Sequence, residues 1–173
     1  IAPHVDRYCV AADEVRHEYI ARGIPEERIV VTGVPVRSEF AEPADPAAAR
    51  EALGLSPAMP VVLAMAGSQG GVGRLPDVAH VLHAMRRPLQ GLVLTGHDAG
   101  LRTALAHLTD GTAIRTLGYV EDVRRLMAAA DLLVTKAGGM TLAEAMAAET
   151  PLLLYGSLPG QERRNERFAA RAG

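Results

Sequence analysis

The sequence predicts an α/β fold, a doubly wound Rossmann-like parallel sheet, on three observations. Short apolar runs, such as Val61–Ala66 and Leu132–Thr135, alternate with segments of helical periodicity. Several runs are apolar throughout, as expected of parallel strands covered on both faces. The β-α-β-α order then calls for right-handed crossovers between parallel strands.

The elements follow in order. Tyr8–Ala11 and Ile29–Thr32 read as strands, with a helix over Asp13–Ala21 that stops at Gly23. Phe40–Pro46, rich in Pro, Ala and acid, reads as a linker or surface loop, and a break falls near Thr32–Arg37. A helix over Pro46–Leu53 has Asp45 as N-cap, Pro at its first position and Gly54 as its stop. Strands follow at Val61–Ala66, Leu92–Thr95, Ala113–Leu117, Leu132–Thr135 and Leu152–Tyr155. Between and after them, helices are expected over Leu75–Met85, Ala99–Leu108, Val123–Ala130, Leu142–Ala148 and Glu162–Ala172. In the first of these, Val78, Ala79, Leu82 and Met85 share a face. No internal repeat or low-complexity tract is visible.

Composition narrows the function. The chain has 173 residues, 49% hydrophobic and 22% charged, which fits a globular protein. Its net charge of −2 and aromatic fraction of 3%, without Trp, give nucleic-acid binding little support. No apolar run approaches the roughly 20 residues of a membrane span, and no signal peptide is visible. Single Cys9 forms no intrachain disulfide and suits a reducing cytoplasm. The first residue is Ile rather than Met, and the last helix calls for a further strand. The sequence is therefore expected to be a piece of a larger protein.

Ligands in open α/β sheets bind beyond the C-terminal strand ends, and three segments fall there. The first is Ala66-Gly67-Ser68-Gln69-Gly70-Gly71-Val72-Gly73, whose glycines allow close backbone approach before a helix start. Its spacing is neither a Walker loop nor a clean dinucleotide fingerprint. The second runs from Lys136, the only lysine in the chain, through Gly138, Gly139 and Thr141 to Glu144. A positive charge, a glycine pair and a helix start make an anion site. Thr141 and Glu144 also satisfy a capping box, a purely structural explanation of both. The third is Leu158-Pro159-Gly160-Gln161-Glu162-Arg-Arg-Asn165. Gln161 and Asn165 share a helix face, and amides beside a carboxylate suit hydroxyl-rich ligands. A Pro-Gly turn with Glu162 set against the helix dipole explains the same residues structurally. His97 stands at a strand end. His80 and His83 are one helical turn apart without a third metal ligand nearby.

Together these strings resemble the donor half of GT-B glycosyltransferases, nearest to the diacylglycerol glycosyltransferases (monogalactosyldiacylglycerol synthase and processive diacylglycerol glucosyltransferase). Val31-Thr-Gly33-Val-Pro35-Val-Arg37, Gly67-Ser-Gln-Gly-Gly71, Leu117-Gly-Tyr119-Val120, Lys136-x-Gly-Gly-x-Thr141 and Pro159-Gly-Gln-Glu-x-x-Asn165 carry the resemblance. It covers nearly the whole chain. The lipid-linked N-acetylglucosamine transferase of peptidoglycan synthesis shares the glycine loop and Pro-Val-Arg. It usually has Arg-Ala-Gly and a His-Gln-x-x-Asn end, so it is the second candidate. A donor-binding module that needs a separate acceptor-binding partner would carry the same strings. So would an epimerase of UDP-sugars on the same fold.

The resemblance implies a C-terminal GT-B half that binds UDP-glucose or UDP-galactose. Residues 1–28 would be the tail of the N-terminal acceptor domain, and residues 29–173 the donor domain, incomplete at its end. Ser68, Gln69, Gly70 and Gly71 would line the pyrophosphate pocket, and the backbone at Tyr119 and Val120 would meet uracil. Gly138, Gly139, Met140 and Thr141 would hold phosphates, with Lys136 close by. Glu144 would take the ribose hydroxyls. Gln161, Glu162 and Asn165, after the Pro159-Gly160 turn, would read the hexose, and Arg37 would sit near the interdomain cleft. Ala137 stands where the family often has Pro. The family needs neither metal nor cofactor and inverts the anomeric centre. Its catalytic base lies in the other half, which binds the lipid acceptor, and so outside this sequence. The resemblance also implies a cytoplasmic location, peripheral at the inner face of the membrane.

Overall fold

The computed structural model describes residues 4–66, 74–109 and 111–172. The chain divides into two compact units, Ile1–Val36 and Arg37–Gly173. The first holds β1 (Tyr8–Val10), α1 (Asp13–Ala21) and β2 (Ile29–Val31). β1 and β2 pair in parallel, with Tyr8 opposite Ile29, so the Ile29 strand has its partner within this unit. Cys9 is free and exposed.

The second unit holds α2 (Pro46–Ala52), β3 (Val61–Met65), α3 (Leu75–Ala84), β4 (Gln90–Leu94), α4 (Ala99–Thr109) and β5 (Ile114–Leu117). It continues with α5 (Val123–Ala129), β6 (Leu132–Thr135), α6 (Gly139–Ala147), β7 (Leu152–Leu154) and α7 (Gln161–Ala172). Its five strands are parallel, in the order β5-β4-β3-β6-β7. The fold is thus the doubly wound α/β sheet the sequence predicts.

Burial follows the apolar runs. Leu63, Leu92, Val93 and Leu133 are fully buried in the sheet, and every residue of β4 is buried. Gly91 lets β4 pack closely on β5: a Cβ there would lie 3.1 Å from two side-chain carbons of Ile114, which would have to shift by a few tenths of an ångström. α3 buries Leu75, Val78, Ala79 and Leu82. Met85 does not join them: the helix ends at Ala84, Met85 turns extended, and its side chain is exposed.

Cap chemistry sets several helix starts. Asp45 accepts hydrogen bonds from the Ala47 and Ala48 N–H groups and Pro46 opens α2, as the sequence implies. Asp122 caps α5 through the Arg125 N–H. α6 departs from expectation. It begins at Gly139 with Gly138 as N-cap, and no described side chain caps it. The capping box at Thr141 and Glu144 therefore does not form: Thr141 is buried inside the first turn. The poor helix propensity of two glycines hid the true start.

The strand order places the topological switch point between β3 and β6, where chain progress reverses direction. Met65 pairs with Thr135 there, so the segments after both strands leave the sheet side by side.

Candidate functional site

The second and third predicted segments meet at this switch point. Lys136, one residue past β6, reaches α7: its Nζ lies 3.0 Å from Glu162 Oε1, with side chains 18% and 17% exposed. Asn165 Nδ2 donates to Ala137 O at 3.0 Å. Glu162 Oε2 accepts the Leu158 N–H at 2.8 Å, which closes the turn before α7. Gly160 takes φ 98°, a conformation side-chain-bearing residues rarely adopt, and so permits the turn after Pro159. Gln161, the first residue of α7, is exposed.

Burial alone pushes the Glu162 carboxyl up. The Leu158 N–H and the Lys136 ammonium outweigh it, and the carboxyl ends below its ordinary value. At neutral pH it is a carboxylate.

The start of α6 faces the same place. Gly138 N–H donates to Lys136 O, and Leu142 N–H to Gly138 O. The N–H groups of Gly139, Met140 and Thr141 lie in between and have no acceptor within the helix. Among the described residues, a Cβ at Gly138 or Gly139 would meet nothing closer than Thr141 Oγ1 at 3.8 Å or Asn165 Nδ2 at 3.6 Å. Neither glycine needs a positive φ. Among the described residues, no packing contact or backbone strain requires glycine at either position, and a helix start with free N–H groups is the kind of place that suits an anion.

Glu144 projects from α6 toward Arg37 and Glu39. Burial raises its carboxyl pKa, Arg37 opposes the rise and Glu39 adds to it. Arg37 Nη1 donates to Glu121 O and pairs with Glu39 Oε1, each at 3.1 Å, and its guanidinium lies over the Phe40 ring. Glu121 directly follows Tyr119 and Val120, so Arg37 pins the segment expected to meet a base.

Tyr119 is 64% exposed and stacks on His97, with centroids 4.3 Å apart and planes 12° from parallel. His97 thus contacts this segment from the loop after β4. Two further histidines hold structure: His80 Nδ1 lies 2.8 Å from Pro76 O, and His83 Nδ1 2.9 Å from Leu108 O. Among the described residues, no three His, Cys, Asp or Glu side chains gather as a metal site would need. Ser68, Gln69, Gly70 and Gly71 lie outside the described residues.

Sequence reasoning missed two hydroxyls just past β7, at the same end of the sheet. Tyr155 Oη and Ser157 Oγ are buried and find no hydrogen-bond partner among the described residues. Burial, with Asp77 adding and Arg74 opposing, raises the Tyr155 pKa. Their positions just past β7 were the available signal. A cavity of about 470 Å³ lies elsewhere, lined by Phe40, Pro43, Met127 and Ala148 among others. Arg124 and Thr150 line it as well, and both already bond to backbone carbonyls, at Glu42, Pro43 and Met127.

Residues 61–162 match the family model described as glycosyltransferase family 28 C-terminal domain. The chain belongs to that family. This family 28 domain is 34% identical over 167 residues to the processive diacylglycerol beta-glucosyltransferase of Bacillus licheniformis, covering 95% of the chain and 43% of the relative. It is also 34% identical over 171 residues to the enzyme of that name from Bacillus mycoides, covering 98% and 44%. The chain therefore spans less than half the length of these relatives. Solved structures share its fold. MurG of Acinetobacter baumannii superposes with TM-score 0.62 at 21% identity, over 84% of this chain and 42% of that one. WaaG, a glycosyltransferase involved in lipopolysaccharide biosynthesis, gives 0.61 at 20% identity, over 95% and 52%. Anabaena HepE in complex with UDP-glucose gives 0.56 at 14%, over 96% and 54%. The family 28 domain thus has the fold of the C-terminal half of a GT-B glycosyltransferase. Among the described residues no helix is long and apolar enough to cross a membrane.

Proposed function

We propose that this domain binds the UDP-sugar donor of a lipid hexosyltransferase that acts on diacylglycerol and inverts the anomeric centre. One observation carries the reading: the Lys136–Glu162 pair and the Asn165–Ala137 bond join the start of α6, whose free N–H groups suit an anion, to α7, whose amides and carboxylate suit hydroxyls. A nucleoside diphosphate sugar has both chemistries in one molecule. HepE, which shares the fold, is known in complex with UDP-glucose, and the relatives are named as glucosyltransferases. These names favour glucose over galactose.

In this reading the N–H groups of Gly139, Met140 and Thr141 meet the diphosphate. Glu144 accepts the ribose hydroxyls, and Tyr119 and Val120 hold uracil against the His97 stack. Gln161, Glu162 and Asn165 orient the hexose. The acceptor hydroxyl attacks C1 as the bond from C1 to the diphosphate oxygen breaks. UDP leaves with the bonding pair, and its added negative charge falls on the α6 start. The acceptor proton goes to a base in the other half of the enzyme. Residues 1–28 are the tail of that half, which also takes the lipid and rests on the cytoplasmic membrane face.

The test supplies the intact protein with diacylglycerol vesicles and labelled UDP-glucose, UDP-galactose or UDP-N-acetylglucosamine. A β-glucosyl lipid is expected. An N-acetylglucosaminyl product would favour the peptidoglycan-type enzyme, and a free epimerised UDP-sugar would overturn the transferase reading. The sequence favours the lipid hexosyl reading through Lys136 and Gln161-Glu162, where the peptidoglycan enzyme usually has Arg and His-Gln.

A further inference from the structure

Lys136 has two anions within its field: the diphosphate expected at the α6 start, and Glu162. The partner it meets in the structure is Glu162, at 3.0 Å. Both side chains are largely buried, and a mostly buried ammonium is costly without a partner, so the pair is not incidental. Glu162 is held at both oxygens, Oε1 by Lys136 and Oε2 by the Leu158 N–H. Two contacts on opposite oxygens fix the plane of the carboxylate. A carboxylate has about four acceptor positions, so each oxygen keeps one for a ligand hydroxyl. That arrangement fits two neighbouring hydroxyls of a hexose. Asn165 is tethered in parallel, through its amide N–H to Ala137 O.

The two tethers end on consecutive residues, Lys136 and Ala137, directly before the α6 start. A shift of one group thus carries the other with it.

We infer that Lys136 is a positioning residue for sugar recognition, acting through Glu162 rather than on the diphosphate. The diphosphate charge is then met without the ammonium, by helix N–H groups, and Lys136 serves to aim the hexose-reading carboxylate. This rests on the donor-site reading above. It also gives one rigid unit both sides of the bond that breaks, with the phosphates at α6 and the hexose at α7.

The test compares binding of UDP and of UDP-glucose by calorimetry in the full-length protein. Lys136→Met is expected to weaken UDP-glucose by about tenfold, the loss of one charge-assisted contact, and to change UDP by less than about twofold. The double variant K136M/E162Q is expected to lose no more than the larger single loss, because both changes break one unit. Lys136→Arg is expected to restore UDP-glucose binding in part, since it keeps the charge beside Glu162. Where K136M does not fold, K136Q is read in the same way, with folding checked by circular dichroism. Equal loss of UDP and UDP-glucose in either variant would overturn the inference and assign the ammonium to the diphosphate. So would losses that multiply in the double variant. Failure of the unaltered protein to bind either nucleotide would instead sink the donor-site reading, and this inference with it.

Discussion

The two ends of the five-stranded sheet each carry a cation–carboxylate pair, and the pairs are used differently. At the N-terminal strand ends, Arg50 Nη2 meets Asp131 Oδ1 at 2.7 Å, and Arg50 Nε donates to Ala129 O. Asp131 Oδ2 accepts the Val61 N–H at 2.7 Å. Nearby, Gln90 both donates to Ser56 O and accepts from its N–H. These groups are matched by protein partners, and the cluster locks α2 to β3 and β6. At the C-terminal ends Lys136 and Glu162 are matched too, yet other groups past the strands are not. Three helix N–H groups have no acceptor within α6, and Tyr155 Oη and Ser157 Oγ have no partner among the described residues. Buried polar groups are normally satisfied, so the two hydroxyls left without a described partner after β7 set this end of the sheet apart from the other.

The largest expected effect breaks the open end alone. Gly139→Val places a branched side chain where the anion would sit, and blocking two charge-assisted hydrogen bonds costs about a hundredfold in UDP affinity. Thermal stability should move little, since among the described residues the added Cβ meets Asn165 Nδ2 at an ordinary 3.6 Å. Unchanged UDP binding by calorimetry would remove the anion site from α6.

Next comes the converse at the closed end. Asp131→Ala strips partners from Arg50 and the Val61 N–H. It should cost about 2 kcal/mol of stability. UDP affinity should stay the same. A thermal melt and one titration decide it, and a loss of UDP binding in a folded variant would refute the separation of the two ends.

The smallest effect concerns Glu144. Its carboxyl pKa is raised in the folded state by burial, against Arg37 and with Glu39. A raised carboxyl costs folding stability as pH rises from the ordinary carboxylate value through the folded one, and the cost is complete above that. Glu144→Gln should therefore gain slightly in stability relative to the unaltered protein across that window. It should also bind nucleotide about tenfold more weakly at neutral pH, because an ionised carboxylate accepts both ribose hydroxyls better than an amide. Melting curves from about pH 4 to about pH 8 would show the crossover, and a stability difference flat with pH would discard it.

Most of the fold was legible from local signals. The continuous apolar runs located β3 and β6 almost to the residue, and Asp45-Pro46 located the start of α2. Other boundaries moved for tertiary reasons. β4 begins at Gln90, earlier than expected, because the Ser56 backbone satisfies its buried amide and Ile114 packs over Gly91. α6 begins at Gly139 because its first turn is anchored by the buried Thr141 and Leu142, not by propensity. The site was half legible. Spacing pointed to Lys136, Gly139, Glu162 and Asn165 as candidates, but not to which of them touch. Tyr155 and Ser157 gave no signal beyond their place after a strand, since an unpaired hydroxyl is visible only once its surroundings are known.

The sequence by itself determined the α/β class, the order of the elements and the residues rich in recognition chemistry. These follow from periodicity, turn residues and caps, which act within a few positions of the chain. Only the tertiary structure decided that Lys136 faces Glu162 and that Asn165 holds Ala137, pairs 26 and 28 residues apart in sequence. The reason is the strand order: β6 inserts beside β3, and β7 beside β6, which folds the loop after β6 and the start of α7 onto one end of the sheet. Strand order is fixed by packing across the whole core, and no local stretch of sequence encodes it.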